Sequence, residues 1–168
     1  MMNPYQQVKE FHAVFDPVAH HAPAPLSERT ARHRSGFKAE EIVEFLYAAA
    51  DNDKEIFLQA VDYLKETIDQ SVEKVLAADK EVTPLVDEVD ALTDLLYFTY
   101  GSFVMLGVDP TEIFNIVHRA NMGKVFPDGK PHYHPVTGKV LKPANWEQKY
   151  APEARILNEI EKQKKRSE

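Results

Sequence analysis

Residues 84–106 read PLVDEVDALTDLLYFTYGSFVML, and the fold turns on this stretch. Thr83-Pro84 is a helix start: threonine sits at the cap position and proline at the first helical position, where its fixed φ is already helical. At about 100° of rotation per residue, Asp87, Asp90 and Asp94 fall within about 60° of one another. Val86, Val89, Leu92 and Leu96 form a separate apolar stripe. One turn beyond Asp94 the acidic face becomes Phe98 and Gly101, and LLYFTYGSFVML is apolar on nearly every side. That segment is expected to be buried, with Asp94 at the edge of the core, where a carboxylate is costly unless paired or bound to a cation. Gly107 stops the helix.

Upstream, residues 38–50 form a second strong helix, with Ile42, Phe45, Leu46 and Ala49 on one side. Glu40, Glu41 and Glu44 fall within about 100° of one another on the other side, and small Ala48 continues that stripe. A short helical piece is expected after Ser27, which has cap chemistry. Asp51, Asn52 and Asp53 interrupt the second helix and offer caps for the next. In residues 55–77, Phe57, Val61, Leu64, Ile68, Val72 and Val75 recur at spacings of three and four, an amphipathic helix. A first helix is expected over residues 4–14, followed by a proline-rich connector over 16–26.

Downstream, Asp109-Pro110-Thr111-Glu112 is a capping signal with an acidic cap and a glutamate three residues on. The helix it opens ends near Asn121-Met122-Gly123. Residues 125–152 are rich in proline and lysine, hold the single tryptophan, Trp146, and read as an ordered arm with at most a small hairpin around 136–139. Residues 152–164 read as a last helix with a frayed basic end. No strand alternation competes. The fold class is therefore all-α: a helical bundle of about five core helices with a Pro/Gly-rich C-terminal arm. We expect one domain over 1–168, its core at about 5–124 and the arm with the last helix at about 125–164.

Composition bounds the function. The chain has 168 residues, no cysteine and a formal net charge of −7. Disulfides, thiolate metal sites and a cysteine nucleophile are excluded. A nucleic-acid polymer is not the expected partner, because phosphate backbones need clustered Lys and Arg. No membrane partner is expected either, since no run has membrane-span length and the N-terminus has no signal pattern. A cytoplasmic location is expected. A small phosphorylated substrate is still compatible, because a divalent cation can supply the positive charge.

Two helices that each carry acids at i, i+3 or i, i+4 can supply the oxygen cage a hard divalent ion prefers, and magnesium bridges carboxylates to substrate phosphates. Such a site suits phosphoanhydride hydrolysis, with Glu40 or Glu41 taking the proton of the attacking water. A plainer account competes. Acids in a helix's first turns favour its dipole. That would explain Asp87 and Glu88, and also Glu40 and Glu41 if their helix starts near Phe37; it explains Glu44 and Asp94 less well. A di-iron or di-manganese bundle is disfavoured because Glu-x-x-His is missing from both acidic stripes. The His20-His21 and His132-Tyr133-His134 groups lie in proline-rich segments without evident partners. A non-catalytic helical interaction module, its acids merely solvated, is the remaining rival.

Glu40-Glu41-Ile42-Val43-Glu44 is EExxE on a helix, and after an intervening helix come Asp94-Leu95-Leu96-Tyr97 with acids just upstream. Together with GSFVMLGVDP and a helix ending HRANMGKVFPDGK, this resembles the MazG-like and phosphoribosyl-ATP pyrophosphohydrolase-like all-α NTP pyrophosphatases, over roughly residues 5–150. The resemblance implies cleavage of a (d)NTP or related nucleotide between the α and β phosphates, giving a monophosphate and pyrophosphate. Phosphoribosyl-ATP hydrolysis is the alternative. It implies Mg2+ (Mn2+ as the substitute) on Glu41, Glu44 and Asp94, and Glu40 as water activator or ligand to a second ion. Substrate contacts would fall to Arg34, Asn121 and Lys124. It also implies a homo-oligomer, a dimer or dimer of dimers. One departure stands out: the family's ExxD on the later helix would put an acid at Ala91. Asp90, one residue earlier, is the substitute ligand, with Asp87 and Glu88 behind it.

Overall fold

The computed structural model describes residues 2–17 and 22–166. The His20-His21 pair lies outside them. The described residues form seven helices: α1 (Pro4–Phe15), α2 (Glu28–Ala49), α3 (Lys54–Ala77), α4 (Pro84–Leu106), α5 (Thr111–Met122), α6 (Trp146–Tyr150) and α7 (Glu153–Arg166). The chain divides into two compact units. One comprises Met1–His21 with Thr93–Glu168, the other Ala22–Leu92, and α4 begins in the second and ends in the first.

In the Ala22–Leu92 unit, α2 and α3 form a helical hairpin. Asp51 and Asn52 take positive φ in the turn, and the Asp53 carboxylate accepts the N–H groups of Glu55 and Ile56 as the cap of α3. Tyr47 and Phe57 meet edge-to-face at 5.1 Å beside the turn. The short piece expected after Ser27 and the helix expected at 38–50 are one element. Ser27 caps Thr30, and the helix runs on through Gly36 without a break. An isolated glycine weakens a helix by only about 1 kcal/mol, which its neighbours in a 22-residue helix can carry.

In the other unit, α1 and α7 both pack on α5. Two polar pairs tie α1 to α5: Gln7 Nε2 donates to Asn115 Oδ1 at 2.6 Å, and His118 Nε2 lies 3.1 Å from Glu10 Oε2. Gln163 of α7 accepts the Asp109 N–H and donates to the Asp109 carbonyl, both at 2.9 Å. The capping signal at Asp109 acts differently from the expectation. Pro110 is the cap residue, while the Asp109 carboxylate accepts the Thr111 N–H, and the Thr111 hydroxyl and N–H hold it below the usual carboxylate range. The expected hairpin in the arm is a single bridge, Tyr133–Val140, with Gly138 at φ +67°. α6 had no sequence signal of its own, and the basic end of α7, expected to fray, is helical to Arg166.

The largest departure concerns burial. The buried apolar side chains among the described residues are Phe15, Ala50, Ala120 and Trp146, and none lies on α3 or α4. The LLYFTYGSFVML segment, expected inside, is exposed: Phe98 at 70%, Val104 at 78% and Met105 at 86%. Asp94 therefore does not stand at the edge of a core within this chain. Hydrophobic patterning reports that a helix face is to be covered, not by which chain, and a stripe of this extent left in water is unfavourable.

Candidate functional site

The acids of α2 lie where the helix dipole does not explain them. Because α2 starts at Glu28, Glu40 is already about three turns in, and Glu41 and Glu44 are further along; the dipole acts within the first turn. The start near Phe37 on which the dipole account rested is thereby corrected. Glu41 and Glu44 are exposed and, among the described residues, make no hydrogen bond or ion pair. Arg34 stands two turns earlier on the same helix, its guanidinium 5.5 Å from the Phe37 ring.

On the first part of α4 the neighbouring acids divide by task. Asp87 accepts the Thr83 N–H at 2.7 Å and the Lys80 ammonium at 2.8 Å. The expected cap is thus reversed: a carboxylate reaches back to the threonine's main chain. Those two bonds, Lys80's first, hold the Asp87 carboxyl below its ordinary range, and the Asp87 hydrogen bond and charge, with Asp90's charge behind them, push the Lys80 ammonium up. Glu88 accepts the Leu26 N–H at 3.0 Å, closing the connector onto α4. Among the described residues Asp90 makes no such bond, nor does Asp94 one turn on. Of the candidates to stand in for an acid at position 91, Asp87 and Glu88 are engaged in structural bonds, and Asp90 is not.

In the α1/α5/α7 unit, Asn121 and Lys124 lie together at the end of α5, with Lys124 Nζ donating to Asn121 Oδ1 at 2.8 Å. His118 is buried against Glu10, which makes it part of the α1–α5 seam. The polar and aromatic side chains of the arm are largely engaged with neighbours. His132 stacks on Phe126 at 4.1 Å and bonds Asp128 at 2.8 Å, holding the Asp128 carboxyl low, and His134 Nδ1 accepts from Val136 and Thr137. Lys142 sits 3.8 Å over the Trp146 ring and pairs with Glu147. Phe11 stacks on Phe15 at 4.3 Å, and Trp146 is buried, so both serve packing.

Sequence reasoning missed what holds the Asn121–Lys124 turn. Trp146 Nε1 donates to the Ala120 carbonyl at 2.8 Å, and the Tyr150 ring occupies the space where a side chain at Gly123 would stand. Gly123 closes the helix at φ −64°, an ordinary helical value. The signal that could have found the clamp is an aromatic at 146 and another at 150, four apart after a proline-rich run.

Among the described residues no group of three or more His, Asp or Glu side chains stands close enough to hold a metal ion. Among the described residues no single helix is long and apolar enough to cross a membrane.

Its match to known proteins puts this helical chain in a class, the all-α pyrophosphohydrolases, which are hydrolases acting on phosphoanhydride bonds. The chain belongs to the phosphoribosyl-ATP pyrophosphohydrolase family, whose model matches residues 8–121. It is also similar to a crystal structure from Exiguobacterium sp. 255-15 titled a "putative NTP pyrophosphohydrolase". The two share 38% identity, with 99% of each chain covered and a TM-score of 0.89. No curated protein matches the sequence.

Proposed function

We propose that this pyrophosphohydrolase is a magnesium-dependent, cytoplasmic enzyme that cleaves a (d)NTP or related nucleotide between its α and β phosphates. The observation that carries the reading is the division of labour among the acids. Among the described residues Glu41, Glu44, Asp90 and Asp94 make no hydrogen bond or close ion pair, Lys80 reaching Asp90 only through its charge, while Asp87 and Glu88 beside them are engaged. Ionised carboxylates at helical spacing repel one another, and a hard cation relieves that repulsion.

The donor set fits Mg2+, or Mn2+ in its place: four carboxylates and no imidazole or thiolate among them. Glu41, Glu44, Asp90 and Asp94 would hold the ion. When bound, it would neutralise phosphate charge and make the attacking water more acidic. Glu40 accepts that water's proton as the water's oxygen bonds to phosphorus and the bridging P–O bond breaks, releasing pyrophosphate and a monophosphate. Arg34, Asn121 and Lys124 bind the anionic substrate, the lysine through phosphate.

A homo-oligomer, a dimer or dimer of dimers, is part of the same reading. The apolar faces of α3 and α4 are too extensive for solvent, and a second copy carries the matching faces. Association would also bring further acids to a ligand set that no described cluster of one chain completes.

The test is a panel of the ribo- and deoxynucleoside triphosphates together with phosphoribosyl-ATP, following pyrophosphate with and without Mg2+. Release that needs Mg2+ supports the proposal. Pyrophosphate from none of them, or the same rate in EDTA, removes it. Phosphoribosyl-ATP belongs in the panel because the family is named for that substrate.

A further inference from the structure

The end of α5 is braced from outside, and the brace bears on residues that the proposed function assigns to substrate. The last carbonyls of a helix lack intrahelical donors. Here the final turn tightens: the Lys124 N–H bonds the Asn121 carbonyl at 3.1 Å rather than that of Ala120, one turn back. The Ala120 carbonyl, buried with its residue, is instead satisfied by the Trp146 indole. Three residues further, Gly123 is buried beneath the Tyr150 ring, with ring carbons 2.6 and 2.7 Å from where a Cβ would stand. Any side chain at 123 would displace Tyr150. α6 itself is fixed on both sides: the Trp146 N–H bonds the Pro143 carbonyl at 2.9 Å, and Arg155 Nη2 donates to the Lys149 carbonyl at 2.7 Å.

We propose that Trp146 and Tyr150 are positioning residues for substrate: they lock the backbone of 120–123 so that Asn121 and Lys124 present their side chains in one fixed arrangement. The proposal rests on the reading that Asn121 and Lys124 bind the nucleotide. A turn with two external fixed points, one polar and one steric, gives up little further freedom when substrate arrives. Neither aromatic touches substrate; each acts through main chain.

Steady-state kinetics on the full chain test this, using the nucleotide that the wild-type enzyme hydrolyses fastest in the panel above. Tyr150→Ala should raise KM about tenfold with kcat within about twofold, because ordering the turn is then a cost of binding. Tyr150→Phe keeps the ring and should behave as wild type. Trp146→Phe removes the indole donor and should raise KM about three- to tenfold, the worth of one hydrogen bond. Trp146 is the only tryptophan, so its fluorescence reports the clamp alone: Tyr150→Ala should shift it and Tyr150→Phe should not. Wild-type KM in a folded Tyr150→Ala overturns the proposal. Should that variant fail to melt cooperatively, Trp146→Phe decides, and a wild-type KM there overturns it equally. Asn121→Ala and Lys124→Ala separate the two levels. If they raise KM while the clamp variants do not, the positioning role alone falls. If they leave KM unchanged, the assignment of substrate to this turn falls and the positioning role with it.

Discussion

Asp87 and Lys80 form an ion pair at 2.8 Å across the start of α4, and the same carboxylate accepts the Thr83 N–H at 2.7 Å. Three residues on, Asp90 makes neither bond among the described residues and meets only the Lys80 charge at longer range. Two acids on nearly the same helical face are thus doing different work.

Exchange of each should separate structure from catalysis. Asp90→Asn is expected to lower kcat/KM about 100-fold, the scale of a lost metal contact, with little change in melting temperature. Asp87→Asn should keep activity within about threefold and lower the melting temperature, as loss of a cap does. Calorimetry with pyrophosphate-release assays on both variants checks this; the reverse pattern would make Asp87 the ligand.

The Asp87 pair also sets a pH dependence. Its folded pKa is depressed below 3.8, so its contribution to stability is complete above that value and disappears as pH falls through the lower folded value. Lys80 is raised above 10.5, so its share is complete below that value and goes as pH climbs through the raised one. The difference in melting temperature between wild type and Asp87→Asn should therefore be flat from about pH 5 to about pH 9 and shrink on either side. A gap that grows towards low pH contradicts the pairing.

Glu44→Gln and Asp94→Asn should each abolish turnover and leave the fold intact, since neither side chain makes a structural bond among the described residues. They should also lose the rise in melting temperature that Mg2+ with nucleotide gives the wild type. Circular dichroism and the same assays decide it, and full activity in either variant strikes that residue from the ligand set.

Met105, 86% exposed, offers the cleanest probe of association. If α4 faced water, Met105→Asp would be nearly neutral. With a second copy covering that face, burying the new carboxylate is strongly unfavourable, and the variant should shift to monomer and melt lower. Light scattering after size exclusion measures the mass directly, and an unaltered oligomer removes α4 from the interface.

The amino-acid sequence by itself determined the helices. Three-four spacing of apolar residues, Ser27 and Asp53 as caps, Pro84 at a first helical position and Gly107 as a left-handed stop at φ +67° are all local, and local geometry follows from them. The acidic stripes were legible for the same reason, because helical rotation is fixed. What only the tertiary structure decided depended on neighbours distant in the chain. Glu88 is engaged because Leu26 returns to it, and Gly123 is a glycine because Tyr150 needs the space, not because its φ is unusual. Periodicity could say that α3 and α4 have faces to hide; it could not say that one chain leaves them uncovered, because burial depends on what packs there and not on the pattern itself.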